Sequence, residues 1–503
     1  MDTGDAGLIA DWVAEGRLPT IGRLMERGCW GTTGGPETIC EYGFGLTLFS
    51  GISRRDHGYY YFRQLEPGGY DIARVRPPID RAPPFWNAFR GTERKALVVD
   101  VPDLRPIPGV PGLQLADWAT HHGSIYEPES EPPELLEDVR KRYGPRMKIH
   151  SDPDSTPAQV LAGLEKLLAR TAMKGELARD LLGRESFDLA AIFFSETDAA
   201  SHYLWDYHTG VKRDEDPQRG PRLRDGLREV YDSVDREMGA IVEQLPPDAT
   251  VFVLSLYGYQ DEYPAWGLIQ SFLDELGYRV PRAAGSGAGH VRGLDPVAIA
   301  RRIVPQRMRA VISRRLSAGA QEKLLSSALR DGTNWERTVA FAVPSLYTSF
   351  VRVNLEGREP RGAVAPGREY SDVLARIEAD LAQLVDPETN APAVRAVSRA
   401  VDLFGGDPPE QLPDLFVEWE PQPRLVNAVE HPRARITQSM PPYCPSGQEK
   451  LSGFFAAAGP GVGGWGALGE VDLLDLAPTF LALLGLSPTP EMHGRPSDAI
   501  LSS

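Results

Sequence analysis

Asp198 and His202 stand four residues apart in the stretch Ser195-Glu196-Thr197-Asp198-Ala199-Ala200-Ser201-His202. Directly before it runs FDLAAIFF, residues 187–194, short, apolar and aromatic-rich. Such a run reads as a buried strand. If the chain then turns into a helix, residues four apart lie on one face, one turn from each other. A carboxylate and an imidazole so placed, just past the carboxyl end of a strand, make half of a metal site. The same spacing equally fits a helix-capping Asp beside a surface His.

The elements that must position this pair follow from the rest of the chain. Residues 96–100 (ALVVD), 250–255 (TVFVLS) and 453–459 (GFFAAAG) are further buried-strand candidates. Residues 156–182 and 227–245 carry long amphipathic helix patterns, and residues 8–25 two short helices meeting at Gly16-Arg17-Leu18-Pro19. Residues 472–485 form an apolar helix ending on Gly485. Strands alternating with helices predict a parallel sheet covered on both faces. From about residue 281 the character changes, and Arg301, Arg302, Arg307, Arg309, Arg314 and Arg315 crowd one amphipathic region. That crowding reads as a solvated helix face rather than a phosphate site.

Length and composition bound the function. A chain of 503 residues suggests two or more compact units. Lys+Arg minus Asp+Glu is 54 − 70 = −16, a balance that disfavours nucleic acid and anionic membranes as partners. No apolar stretch approaches the roughly 20 residues of a membrane span. Three cysteines, Cys29, Cys40 and Cys444, make no disulfide framework, which fits a cytoplasmic protein.

The chain resembles the alkaline phosphatase superfamily, and within it the type I phosphodiesterase/nucleotide pyrophosphatase-like proteins. The resemblance is carried by residues 2–28, by Ser50-Gly51 through His57-Gly58, by residues 193–205, and by residues 453–495, with residues 354–370 adding to it. It implies an α/β fold with a mostly parallel central sheet, helices on both faces and an inserted mixed α/β cap. The corresponding division is residues 1–265 for the first part of the core, 266–425 for the cap and 426–503 for the C-terminal part of the core.

The family's chemistry uses two divalent metals held by Asp and His, with a Thr or Ser nucleophile between them. Carried over residue by residue, the first-strand aspartate is Asp2 and the Asp-x-x-x-His pair is Asp198 and His202. The nucleophile's place, counted back from Gly51, falls to Glu41. The later Asp-His-Gly is replaced by Leu256-Tyr257-Gly258, and the final His by Glu449. The resemblance therefore implies one metal position held by Asp198, His202 and Glu449. A weaker position retains Asp2 beside Glu41. Cys40 lacks the flanking residues of the sulfatases of the superfamily, with Tyr42 and Phe44 at the diagnostic places, and reads as an inert buried thiol. His57 belongs to a structural His-Gly turn.

Three functions compete. The first is a hydrolase or lyase acting on a phospho-, sulfo- or related ester, a small-molecule substrate. It would use one divalent metal, Zn, Mn or Fe, with Glu41 as general base or, failing that, nucleophile, and Tyr257 as donor to developing charge. The second is a non-hydrolytic acid–base enzyme using the same cleft. The third is a catalytically dead binding scaffold holding no metal. Because Asp2 should end a first central strand that the sequence does not contain, Met1 is expected not to be the native start.

Overall fold

Thr156 opens the longest helix among the described residues, Pro157–Leu182 (α2 below), through a capping box in which its side chain accepts from the backbone of Gln159 and the Gln159 side chain accepts in return. This is the helix anticipated at residues 156–182. The computed structural model describes residues 1–40, 42–120, 126–147, 149, 155–263, 265–282, 318–438 and 447–502. The arginines at 301–315 and Glu41 lie outside the described residues.

The described chain falls into two compact units. The first comprises Met1–Tyr59, Pro77–Glu262 and Pro445–Ser503, and the second Tyr60–Arg76 and Tyr263–Cys444. In the first unit the strands are β1 (Cys29–Gly34), β2 (Ala96–Val99), β3 (Gly112–Ala116), β4 (Glu129–Glu131), β5 (Leu189–Ile192), β6 (Val251–Leu254), β7 (Gly258–Asp261), β8 (Gly447–Lys450), β9 (Phe454–Ala458) and β10 (Gly466–Asp472). The helices used below are α1 (Phe44–Ser50), α2 (Pro157–Leu182), α3 (Glu196–His208) and α4 (Arg219–Val242).

Two four-stranded sheets result, in the orders β4-β3-β2-β5 and β10-β1-β9-β6. Strands β3, β2 and β5 run parallel, as does the β1–β10 pair, while β9 runs antiparallel to both β1 and β6. The anticipated α/β architecture is what the chain adopts: the first sheet is parallel except for its edge strand β4, antiparallel to β3, and in the second only β1 and β10 pair in parallel.

Strands β5 and β6 each end their sheet. Residues 1–4 bridge the chain just beyond them. Asp2 N–H donates to the Phe194 carbonyl at 2.9 Å, Leu256 N–H donates to the Asp2 carbonyl at 3.0 Å, and Gly4 N–H donates to the Tyr257 carbonyl at 2.7 Å. Asp2 is thus held between the ends of both strands. Helices α2, α3 and α4 pack on one side through Leu164, Leu204, Leu227 and Val230, together with Val253 of β6 and Phe454 and Ala456 of β9. The all-apolar burial of β2 and β9 reflects cover on both faces.

The second unit has its own core. A sheet ordered Ala340–Val343, Ser349–Val353, Leu415–Trp419, Val394–Arg399 is antiparallel throughout and packs with Arg368–Leu381. Its interior holds a closed ionic group in which Arg358 pairs with Glu359 and Asp414 at 2.9 and 2.7 Å and Arg352 with Glu359 at 2.7 Å. The hairpin of Arg63–Leu65 and Ile72–Arg74 belongs to this unit although it lies early in the chain. Among the described residues no helix is long and apolar enough to cross a membrane.

Candidate metal centre

Strand β5 delivers the chain through Phe193 and Phe194 into Ser195, and α3 begins at Glu196. Glu196 and Asp198 stand in its first turn, where carboxylates are favoured by the unpaired N–H groups and the helix dipole. Asp198 and His202 then share one helix face, as their spacing predicts. His202 Nε2 lies 3.5 Å from Asp198 Oδ1.

The third member arrives from far away in sequence. Strands β7 and β8 form a two-stranded antiparallel ribbon in which Glu449 lies opposite Tyr259. Glu449 Oε1 is 3.1 Å from His202 Nε2. One ligand atom each from Asp198, His202 and Glu449 lie within 4.8 Å of one another. The donor set is two carboxylates and one imidazole, borderline in softness, which suits Zn, Mn or Fe. Glu449 Oε2 is buried and accepts no hydrogen bond among the described residues. A buried carboxylate oxygen left so is costly, and a cation between the three side chains would remove that cost. On these grounds the residues fit a divalent metal.

Thr3 Oγ1 donates to Asp198 Oδ1 at 3.0 Å, and Tyr231 Oη donates to the Thr3 carbonyl at 3.1 Å. Burial pushes the Tyr231 phenol well above its ordinary range, so it stays a neutral donor. Asp2 is buried one residue away from Thr3, but its carboxylate lies outside the three-residue group. Tyr257 packs its ring edge-on against Phe44, centroids 5.1 Å apart, and its backbone N–H donates to the Asp2 carbonyl at 3.2 Å. Leu256 is buried beside it, where a side chain without ligand atoms now stands.

Glu41 itself is not among the described residues, but its flanks are. Arg54, fully buried, donates from Nη1 to the carbonyls of Tyr42 and Tyr59, and from Nη2 to those of Cys40 and Glu37 at 3.3 Å. Glu37 faces the same guanidinium, with Arg54 Nε 3.7 Å from Oε2, and accepts from Ser53 Oγ at 2.6 Å. One buried side chain thus fixes the backbone on both sides of position 41. Cys40 is buried, in keeping with an inert thiol. His57 accepts at Nδ1 from the Tyr59 N–H at 3.0 Å, so its proton sits on Nε2, 2.9 Å from Thr47 Oγ1. Burial, aided by Arg54, holds it well below its ordinary pKa, as expected of a structural neutral imidazole.

Beneath the start of α3 lies a buried ionic group. Arg170 Nε donates to Glu196 Oε1 at 2.6 Å, and Lys174 Nζ is 3.4 Å from Asp100 Oδ2 and 3.6 Å from Glu196 Oε1. Lys174 also donates to the carbonyls of Ala119 and Phe193, and Asp100 accepts from the N–H groups of Trp118 and Ala119. This ties β2, α2 and the β5–α3 turn together one residue before Thr197-Asp198. Neither it nor Thr3, Tyr259 and Gly447 was visible in the sequence. Tyr259 falls two residues after Tyr257 on an alternating strand, but only the β7–β8 pairing reveals what it faces.

A family model described as type I phosphodiesterase / nucleotide pyrophosphatase matches residues 1–433, ending before Glu449. No curated protein matches the chain. Among solved structures, phosphonoacetate hydrolase from Sinorhizobium meliloti 1021 in complex with phosphonoformate is similar over 96% of this chain and 93% of that chain. The TM-score is 0.50 and the sequence identity 13%, a likeness of fold. Human ectonucleotide pyrophosphatase / phosphodiesterase 5 is similar over 97% of this chain and 95% of that chain, with TM-score 0.44 and 11% identity.

Proposed function

Because the chain belongs to the type I phosphodiesterase/nucleotide pyrophosphatase family, we propose that it hydrolyses a phospho-, sulfo- or related ester of a small molecule with one divalent metal. The observation that carries this reading is the close approach of Asp198, His202 and Glu449, ligand atoms within 4.8 Å, with Glu449 Oε2 buried and unmatched. A metal bound there supplies Lewis acidity toward a substrate oxygen. Zn, Mn and Fe fit the donor set equally.

The chain's own groups do the rest. Asp198 and Glu449 neutralise the metal's charge and orient it. Thr3 fixes the Asp198 carboxylate. Glu41 takes the role of general base, or of carboxylate nucleophile, at the place where relatives carry a hydroxyl. Its support is the Arg54 clamp, which donates to the carbonyls of Cys40 and Tyr42 on either side of it. Tyr257 offers a phenol to developing negative charge. Residues 266–425 select the substrate, since every proposed ligand lies outside them, and the cysteine usage supports a cytoplasmic setting.

Leu256 favours a second reading. A buried Leu where the family places a metal-ligating Asp leaves the second metal position without its ligand, which suits a binding scaffold as well as a one-metal enzyme. The two separate on one experiment. Purified protein is loaded with Zn or Mn, assayed by elemental analysis, and offered p-nitrophenyl phosphate mono- and diesters. The enzyme reading requires about one metal per chain and turnover that Glu41→Gln abolishes without loss of metal. Metal-free, folded protein with no turnover would leave the scaffold.

A further inference from the structure

The imidazole of His202 has two ring nitrogens with opposed surroundings. Nε2 faces the carboxylates of Asp198 and Glu449, at 3.5 and 3.1 Å. Nδ1 lies 3.1 Å from the Tyr259 hydroxyl. That hydroxyl is also 2.8 Å from the Gly447 carbonyl, which can only accept. With the single phenolic proton on the Gly447 carbonyl, the oxygen meets Nδ1 as an acceptor.

We propose that Tyr259 is a positioning residue that holds His202 as the Nδ1–H tautomer and so presents the Nε2 lone pair to a metal between Asp198 and Glu449. This rests on the one-metal reading. The carboxylates by themselves favour the opposite tautomer, because an Nε2–H would find an acceptor in either of them. Tyr259 counters this by supplying Nδ1–H with an acceptor of its own. Outer partners of this kind fix ring orientation and raise ligand basicity.

The surroundings are shaped for the task. Tyr259 and Asp261 alternate along β7 toward α3, where Tyr259 meets His202 and Asp261 Oδ1 accepts from Trp205 Nε1 at 2.6 Å. The Tyr259 ring packs edge-on against both His202 and Trp205, with centroids 5.5 and 4.9 Å apart. A Cβ at Gly447 would come within 2.4 Å of Tyr259 Cε1 and 2.8 Å of Trp205 Cδ1, so only glycine lets the ribbon approach this closely. Glu449, two residues along the same strand, stands opposite Tyr259. One ribbon thus carries a ligand and the group that orients another.

Tyr259→Phe keeps the ring and its packing and removes only the oxygen. Two measurements on the full chain test the claim. The first is the Zn2+ dissociation constant by competition with a chelating dye, with the melting temperature as a check on folding. The second is 15N NMR of the His202 ring in metal-free protein, in the pH range of the neutral imidazole. The proposal expects Nδ1–H in the wild type, Nε2–H in the variant, and about 10- to 100-fold weaker Zn2+ binding. An identical tautomer in both proteins, or unchanged Zn2+ affinity in a folded variant, overturns it. If the tautomer moves while the wild type itself binds no Zn2+, Tyr259 keeps its positioning role and the one-metal reading falls.

Discussion

Asp198 Oδ1 receives the Thr3 hydroxyl at 3.0 Å and lies 3.5 Å from His202 Nε2, so one carboxylate oxygen joins residue 3 to the centre of the proposed site. Removing any of the three ligands should remove the metal. Asp198→Ala, His202→Ala and Glu449→Ala are each expected to abolish stoichiometric Zn or Mn in a folded protein, because a stable site takes three or four protein ligands. Thr3→Val should weaken binding by about tenfold, the lower end for a group acting through a ligand. Isothermal titration reads both effects, and a Glu449→Ala protein that still binds metal tightly would exclude Glu449 from the site.

The second metal position should be recoverable. Leu256 and Tyr257 both donate their backbone N–H groups to the Asp2 carbonyl, so side chains placed there start close to Asp2. Leu256→Asp with Tyr257→His is expected to raise the metal count from one toward two per chain. Without metal, the double variant should be less stable than the wild type by about 2–4 kcal/mol, since it buries a carboxylate where a Leu was packed. Elemental analysis after dialysis decides, and a count that stays at one would mean the Asp2 side cannot be rebuilt.

Acid should weaken the fold partly through His57. Its folded pKa is depressed far below the ordinary 6.5 by burial and by Arg54, so the native state keeps it neutral. Below about pH 6.5 the unfolded chain binds a proton that the folded chain refuses. The contribution is therefore fully present above that pH and is lost as pH falls, at up to about 1.4 kcal/mol per pH unit. His208, also depressed by burial, acts with the same sign. Urea unfolding of His57→Gln at several pH values should show a shallower loss than the wild type. Parallel slopes would mean that His57 titrates normally.

Lys174 should be among the least replaceable charges. Lys174→Met strips the ammonium from between the buried carboxylates Asp100 and Glu196 and is expected to cost about 3–5 kcal/mol. Adding Glu196→Gln should recover part of that loss, because one of the stranded charges is then gone. Equilibrium denaturation of both variants checks this, and additive losses would show that the group is not electrostatically coupled.

The sequence made the scaffold legible where local pattern decides the outcome. The capped helix from Thr156, the strand within residues 187–194 and the Asp198–His202 face follow from periodicity, capping and spacing that neighbouring residues enforce. What pairs across hundreds of residues was not legible. Nothing local to Tyr259 says that it stands opposite Glu449, or that Gly447 must lack a Cβ to let them meet. Glu449 was reached through resemblance, and its approach to His202 is a matter of ribbon register. The ionic group around Lys174 was hidden for the same reason, since Asp100, Lys174 and Glu196 each look like an ordinary surface charge when read singly.

The two four-stranded sheets of the first unit end at β5 and β6, and the short segment 1–4 hydrogen-bonds to the chain just beyond both strands. Asp198 and His202 follow directly from β5, whereas Glu449 and Tyr259 sit on the ribbon that continues from β6 and leads into β9. An ion held by Asp198, His202 and Glu449 would therefore act as a rivet between the sheets, with a mechanical role separate from its chemistry. Its loading should slow amide hydrogen exchange along Leu189–Ile192 and Val251–Leu254 far more than in the interior strand Ala96–Val99. The metal would then set how often the halves of this unit breathe apart.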